Sequence, residues 1–333
     1  MDLLKNIFYP VIILIFTGCL ETIDITTGDE QVLCINSLVS SGKPIEIKVT
    51  HTWTYTDGMY EDKSKVDDAI ITVFANDRQV NTDYLPKEGD RIRITAESKK
   101  YGYAEAEVTV PYRAPLEPLK WDITSVEEYE FDMGHEITKR LHFNLNLKMV
   151  ISDIKDTYDY YRITFKPFTK MDEIYENLPD TIINPDPYIY FNDGNLRYEA
   201  EPLFYEHMGE WGDIFETDPS GFPFFTDRTF TGSDYTLNLQ FSDCVYYLST
   251  NEFKPEYLDC GLIVSLHSIS ESYYTWEKYL FTSNESVVGD IFDWGFMEQQ
   301  WGYSNVSTGA GVVAAESVAT YTLNLKEFLE NYF

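Results

Sequence analysis

The sequence predicts a mainly β protein, an N-terminal immunoglobulin-like β-sandwich followed by a larger β-rich domain that carries one helix and a long aromatic insertion. Three observations lead there. Apolar and polar residues alternate at period two in run after run, turn-forming Gly, Asn, Asp and Pro fall between the runs, and a single stretch keeps helical spacing.

The chain opens on a segment that is not part of the fold. Lys5 is followed by an apolar run from Ile7 to Phe16. That run is too short to cross roughly 30 Å of hydrocarbon, which takes about 20 residues, so it reads as a secretory signal. Thr17 and Gly18 before Cys19 match a bacterial lipoprotein processing site, so 1–18 is expected to be removed and Cys19 acylated. Ordinary secretion with a structural Cys19, or an uncleaved anchor, are the alternatives. Several acyl chains on one Cys would anchor stably in a membrane. Residues 19–30, including ETIDITTGDE, form a polar tether, and its early acids Glu21 and Asp24 resemble the acidic signal after the Cys that directs some lipoproteins to the cell surface, which implies display there.

From 31 to 111 the strands are short. Ile45, Ile47 and Val49 alternate with polar residues, as do Ile71 and Val73, Ile92 and Ile94, and Ala104, Ala106, Val108 and Val110. Turns are expected at Ser41-Gly42-Lys43-Pro44, Thr56-Asp57-Gly58, Asn76-Asp77 and Lys87-Glu88-Gly89-Asp90. Six or seven short strands in such a length make a sandwich of immunoglobulin proportions. Residues 112–118 lie in PYRAPLEP, whose prolines restrict their own φ and the residue before them, so a stiff linker and a domain boundary are expected.

In 119–333, Leu141, Phe143, Leu145, Leu147 and Met149 alternate through one long strand, and YYRITF from Tyr160, YTLNLQF from Tyr235 and the run Leu262 to Leu266 repeat the pattern. Between them, about 168–232 is rich in Pro, Asp, Gly and exposed-looking rings, Phe204, Phe224 and Phe225 among them, and so long a connection is usually functional. Ser268 and Glu271 form a capping box ahead of Tyr273, Trp276, Tyr279 and Leu280 at helical spacing, a stripe expected to pack on a sheet rather than to serve as a contact surface.

Charge and cysteine usage narrow the function. With 56 acidic against 25 basic residues the formal charge is −31. Nucleic acid and anionic headgroups would be repelled, so no nucleic-acid partner is expected. Cys19, Cys34, Cys244 and Cys260 lack zinc spacing. In an oxidising compartment Cys244 and Cys260, with 15 residues between them, are a possible disulfide worth roughly 3 kcal/mol, and Cys34 a small buried hydrophobe.

No Gly-x-Ser-x-Gly, His-Glu-x-x-His or P-loop is present. Acidic pairs such as Asp153/Asp156 or Asp213/Asp218 could serve a hydrolase of glycans or peptides, yet among so many acids a pair says nothing without geometry. The chain is not expected to be an enzyme. Asp186 and Asp193 sit in Asn- and Gly-rich turns and are weak calcium candidates against plain Asx turns; no other cofactor is expected. Ligand binding is expected instead from rings of the insertion, Tyr188, Tyr190, Tyr205, Trp211 and Phe222, because aromatic side chains give large contact area at low entropy cost.

Trp301 to Ala315, WGYSNVSTGAGVVAA, resembles the closing motif of the DUF4249 family, lipoproteins of unknown function in Bacteroidota. Val32-Leu33-Cys34-Ile35-Asn36, Ala69 to Phe74, Thr109-Val110-Pro111 and Asp227 to Tyr235 resemble other parts of it. The resemblance implies an outer-membrane accessory protein beside a TonB-dependent SusC-like transporter of nutrients. A structural or adhesin-like envelope protein is a further alternative. Gly309 and Gly311 themselves are expected where backbone meets backbone or φ is positive, at a sheet corner and not around a phosphate.

Overall fold

A computed structural model describes residues 31–52, 65–132, 137–153, 157–169, 188–190, 196–197, 201–205, 223–249, 258–284 and 302–332. The fold is mainly β, as the alternation predicts. Its first six strands are β1 (Leu33–Ser40), β2 (Lys48–His51), β3 (Ile70–Ala75), β4 (Arg78–Val80), β5 (Arg91–Ser98) and β6 (Gly102–Thr109). The last four form one antiparallel sheet in the order β4-β3-β5-β6. Its β3–β4 hairpin turns on Asn76 and Asp77, both with positive φ, as the short polar side chains of these residues allow. Asp90 fastens the same end of the sheet, accepting from Asn76 Nδ2, Tyr84 Oη and the Lys87 amide at 2.7–2.8 Å.

The remaining strands are β7 (Leu116–Asp132), β8 (Ile137–Ser152), β9 (Tyr160–Thr169), β10 (Tyr188–Tyr190), β11 (Phe224–Thr226), β12 (Asp234–Ser249), β13 (Cys260–Ile269) and β14 (Val313–Asn324), with helices α1 (Glu271–Asn284) and α2 (Lys326–Leu329). They build a four-stranded sheet, β10-β12-β8-β7, and a six-stranded one, β11-β9-β13-β14-β1-β2. The second of these draws in the two N-terminal strands: β1 runs parallel to β14, with Ser37 opposite Val313 and Ser40 opposite Glu316.

That pairing amends the division of the chain at 112–118. Residues 31–111 do not close a sandwich by themselves, because their core of Leu33, Ile35, Val73, Ile92, Ile94 and Ala106 is completed by Val306, Val313 and Ala315. Nor is 112–118 a free linker. Leu116 already pairs with Ile151, and Pro118 is carried in edge strand β7 where the register slips before Lys120, a place a strand tolerates a residue without an N–H.

The second core lies between the other two sheets. Leu141, Phe143, Leu145, Leu147 and Met149 of β8, every second residue as predicted, are buried with Leu237, Leu239 and Phe241 of β12 and Leu262, Val264 and Leu266 of β13. Phe204 and Phe225 belong to this core and Phe224 is buried beneath α1, so three rings of the insertion that look exposed in the sequence are packing residues.

Cys244 and Cys260 are likewise core residues and are free thiols, not a disulfide. Cys244 follows a register break in β12 and Cys260 opens β13 in the other sheet, so each is held by its own ladder. Burial pushes the Cys244 thiol up to about 12 and raises that of Cys260 as well. Cys34 is only half-buried.

Helix α1 begins two residues later than the sequence suggests. Ser268 is still in β13, where its hydroxyl accepts from the Ala114 amide. Ser270 caps instead, its Oγ accepting from the amides of Tyr273 and, across the sheet, Ala315. The helix packs Tyr273 and Tyr274 on Phe224, Ile269, Val312 and Ala314, the sheet-covering role expected of its stripe.

The Gly-Ala-Gly run before β14 is a backbone-to-backbone crossing. Ala310 bonds β1 through both its groups, donating to the Leu33 carbonyl and accepting from the Ile35 amide at 2.9 Å. A Cβ on Gly309 would lie 2.5 Å from the Leu33 oxygen, and one on Gly311, at φ +108°, 2.2 Å from the Ile35 oxygen. Gly309 is also crowded by Ala104 of β6, whose Cβ would lie 2.7 Å away, whereas the close contacts of Gly311 are all with Ile35 of β1.

Candidate functional site

On the outer face of the six-stranded sheet, helix α1 covers only part of the strands and leaves an open cleft of about 490 Å³ beside it. Its floor is Val312 and Ala314 at the start of β14. One wall is β1 and the segment entering β2, with Asn36, Leu38, Glu46, Ile47 and Lys48; the other is Tyr273, Trp276 and Glu277 of the helix. The volume suits a small molecule or a short extended segment, since ligand sites run from about 300 to 1,000 Å³.

The chemistry of the walls follows from the pattern of the strands. On β1 the core face takes Leu33, Ile35 and Val39, so the alternate residues Asn36 and Leu38 face outward, and Leu38 is 41% exposed. Asn36 is held by accepting from the Val312 amide at 3.1 Å, and Ser37 ties the two strands by donating to the Glu46 carbonyl at 2.7 Å. On the helix wall the Tyr273 hydroxyl accepts from Arg162 at 2.5 Å, while the Trp276 and Tyr279 rings stack 6.0 Å apart. Burial raises the Glu277 carboxyl, against the lowering effect of the nearby Arg162 guanidinium. The cleft thus offers an aromatic and an aliphatic surface across from each other, with Glu46, Lys48 and Glu277 placed to meet polar groups.

Deeper on the same face lies a chain of hydrogen bonds across four strands. Thr164 Oγ1 lies 3.0 Å from His267 Nε2, His267 Nδ1 lies 2.8 Å from Glu316 Oε2, and Ser40 donates to Glu316 Oε1 at 2.8 Å. Burial acts to raise the Glu316 carboxyl, but the hydrogen bonds from His267 and Ser40 outweigh it and hold the group below its usual value. The connectivity is that of a nucleophile, a base and an orienting acid. The N–H groups of β13 around His267 are not aimed at an oxyanion, because the strand is paired along both edges, with β14 and with β9. The relay ties β9, β13, β14 and β1 together.

The rings singled out in the insertion are distributed differently. Tyr188 and Tyr190 sit on β10, at the edge of the four-stranded sheet, paired with Tyr247 and Val245. Tyr205 ends a single 3₁₀ turn, Pro202–Tyr205. Trp211 and Phe222, and the calcium candidates Asp186 and Asp193, lie outside the described residues, as does Cys19. Of the cleft, the sequence signalled only the helix stripe with Tyr273 and Trp276. The opposite wall is more than two hundred residues away along the chain, and nothing local in Leu38 or Lys48 marks it.

A family model described as a domain of unknown function, DUF4249, matches residues 21–322. No curated protein and no solved structure matches the chain.

Proposed function

Because the chain belongs to the DUF4249 family, whose description names no activity, its function has to be read from its own residues, and we propose a lipid-anchored accessory protein of the outer membrane that binds its ligand noncovalently. The cleft between α1 and the β1–β2 edge carries this reading. An exposed Leu38 faces Tyr273 and Trp276 across an apolar floor, with carboxylates and a lysine at hand. Such a surface suits the ring faces of a glycan or the alternating side chains of a short peptide, with polar groups fixing orientation.

Anchoring through Cys19 would hold the fold close to the bilayer. A tether of residues 19–30 spans at most about 40 Å when extended. Partners within that reach see a high effective concentration, and the TonB-dependent transporter that the family resemblance implies would be such a partner. The strongly acidic surface repels anionic headgroups and keeps the fold off the lipid.

The test uses the full-length protein in membranes. Cys19→Ser should abolish incorporation of labelled palmitate into the protein; unchanged labelling overturns the anchor at Cys19. Pull-down from detergent-solubilised membranes should recover a transporter, and Trp276→Ala should reduce binding to a glycan and peptide panel while leaving the circular dichroism spectrum unchanged. Undiminished binding by that variant removes the cleft from the site. Loss of binding on replacing Trp211 and Phe222 instead would move the site to the insertion.

A further inference from the structure

The β8–β9 and β11–β12 connections meet at the same end of the molecule, and three aspartates converge there. Asp153 follows β8, Asp159 precedes β9 and Asp227 follows β11. One carboxylate oxygen from each lies within 4.8 Å of the others. An acidic cluster alone would mean little in a chain of this charge, but this one has a feature that solvated surface acids lack. Asp227 is fully buried, and its Oδ2 has no hydrogen-bond partner.

The other oxygens show how tightly the cluster is built. Asp227 Oδ1 accepts from the Asp159 amide at 3.1 Å. Asp153 Oδ1 accepts from the Tyr161 hydroxyl at 2.8 Å and its Oδ2 from the Gly232 amide at 2.7 Å. Asp159 Oδ2 accepts from Thr157 at 2.6 Å. Among the described residues no lysine, arginine or histidine pairs with any of the three. The protein has thus gathered like charges, oriented them with backbone and hydroxyl donors, and buried one carboxylate oxygen without a donor. Such an oxygen is costly unless something cationic meets it.

We propose that Asp153, Asp159 and Asp227 bind a single calcium-sized divalent cation. The donors are all hard oxygens, which suits calcium and magnesium and does not suit zinc or copper in the absence of His or Cys. Calcium–oxygen distances of about 2.3–2.6 Å put oxygens on opposite sides of one ion about 4.6–5.2 Å apart, so three oxygens within 4.8 Å fit a single coordination shell. Water completes the shell. The ion satisfies Asp227 Oδ2, offsets two of the cluster's three negative charges and clamps the start of β9 to the turn before β12. That turn is already ordered by Phe230, whose ring packs against Tyr161 and Tyr235. The site is distinct from the cleft and independent of the ligand-binding reading.

The test titrates the EDTA-stripped full chain with calcium chloride by calorimetry, and with terbium, whose luminescence should be sensitised by Tyr161. One ion per chain and a calcium-dependent rise in melting temperature are expected. Asp153→Asn and Asp227→Asn should weaken binding by more than about tenfold, the loss that even an outer-shell partner can cause. Should the buried Asp227→Asn variant fail to fold, Asp153→Asn and Asp159→Asn decide. Absence of calcium binding at millimolar concentration, affinity unchanged in the folded variants, or magnesium binding as tightly as calcium would each overturn the assignment.

Discussion

Replacing Gly311 with alanine should be among the most damaging single changes in the chain, and its cost can be built from the geometry. At φ +108° the residue lies beyond even the left-handed well that L-residues sometimes occupy, which costs about 1–2 kcal/mol. The new Cβ would also lie 2.2 Å from the Ile35 oxygen and 2.9 Å from both the Ile35 carbon and nitrogen, all backbone atoms that no rotamer change can move. Strand β1 must retreat by about 1 Å to restore normal contact, which stretches the two 2.9 Å bonds between Ala310 and β1, each worth about 1 kcal/mol. The total is about 3–4 kcal/mol. Gly42→Ala separates the two contributions, because Gly42 also has positive φ, +76°, but a Cβ there meets nothing within 4 Å. It should cost only the conformational part, about 1 kcal/mol. Urea unfolding followed by tryptophan fluorescence measures both. If Gly311→Ala falls within about 1 kcal/mol of Gly42→Ala, the close approach of the closing motif to β1 is not what makes glycine necessary, and the reasoning fails.

Glu316 should make stability acid-sensitive. Folding lowers its carboxyl below the ordinary value of 4.5, so its contribution is complete above that value and is lost as pH falls through the lower folded one. Glu316→Gln should therefore narrow the difference in denaturation midpoint between neutral and acidic pH, whereas Glu316→Ala, which strands the hydrogen-bonding groups of His267 and Ser40, should cost about 2–3 kcal/mol at neutral pH. Phe225→Ala should destabilise by about 3–5 kcal/mol because the ring is fully buried between Tyr161 and Phe204; a loss under 1 kcal/mol by chemical denaturation would return it to the surface. Native alkylation followed by mass spectrometry should label Cys34 faster than Cys244 and Cys260, whose thiols are buried and kept protonated, and recovery of a cross-linked Cys244–Cys260 peptide would contradict their free state.

Much of the fold was legible because strand alternation is a local property. Leu141 to Met149 bury every second side chain as written, since the pleat sends neighbours to opposite faces whatever the strand pairs with. The paired glycines of Gly309-Ala310-Gly311 and the turn at Asn76-Asp77 were legible for the same kind of reason, as a backbone demand visible in residue type.

What failed in the sequence depended on partners. A ring in a Pro- and Gly-rich stretch reads as exposed, and only the arrival of β9 and α1 over Phe224 and Phe225 made them core. Two cysteines near in sequence suggested a bond, yet both are buried as free thiols, one in each of the two sheets. Ser268 and Ser270 are both capping residues by type, and the choice fell to Ser270 because β13 kept Ser268 in its ladder.

The sequence by itself determined a mainly β, strongly acidic chain, most of its strands, one helix and a motif that needs glycine at two places. Only the tertiary structure decided that β1 lies beside β14, so that the first strands and the last share one sheet and one core. That pairing also sets Leu38 opposite Trp276, and a separate convergence of loops brings Asp227 to Asp153 and Asp159. Periodicity records which face of a strand is buried, but a parallel pairing across most of the chain is selected by the total apolar area it closes, and no local run of residues carries that quantity.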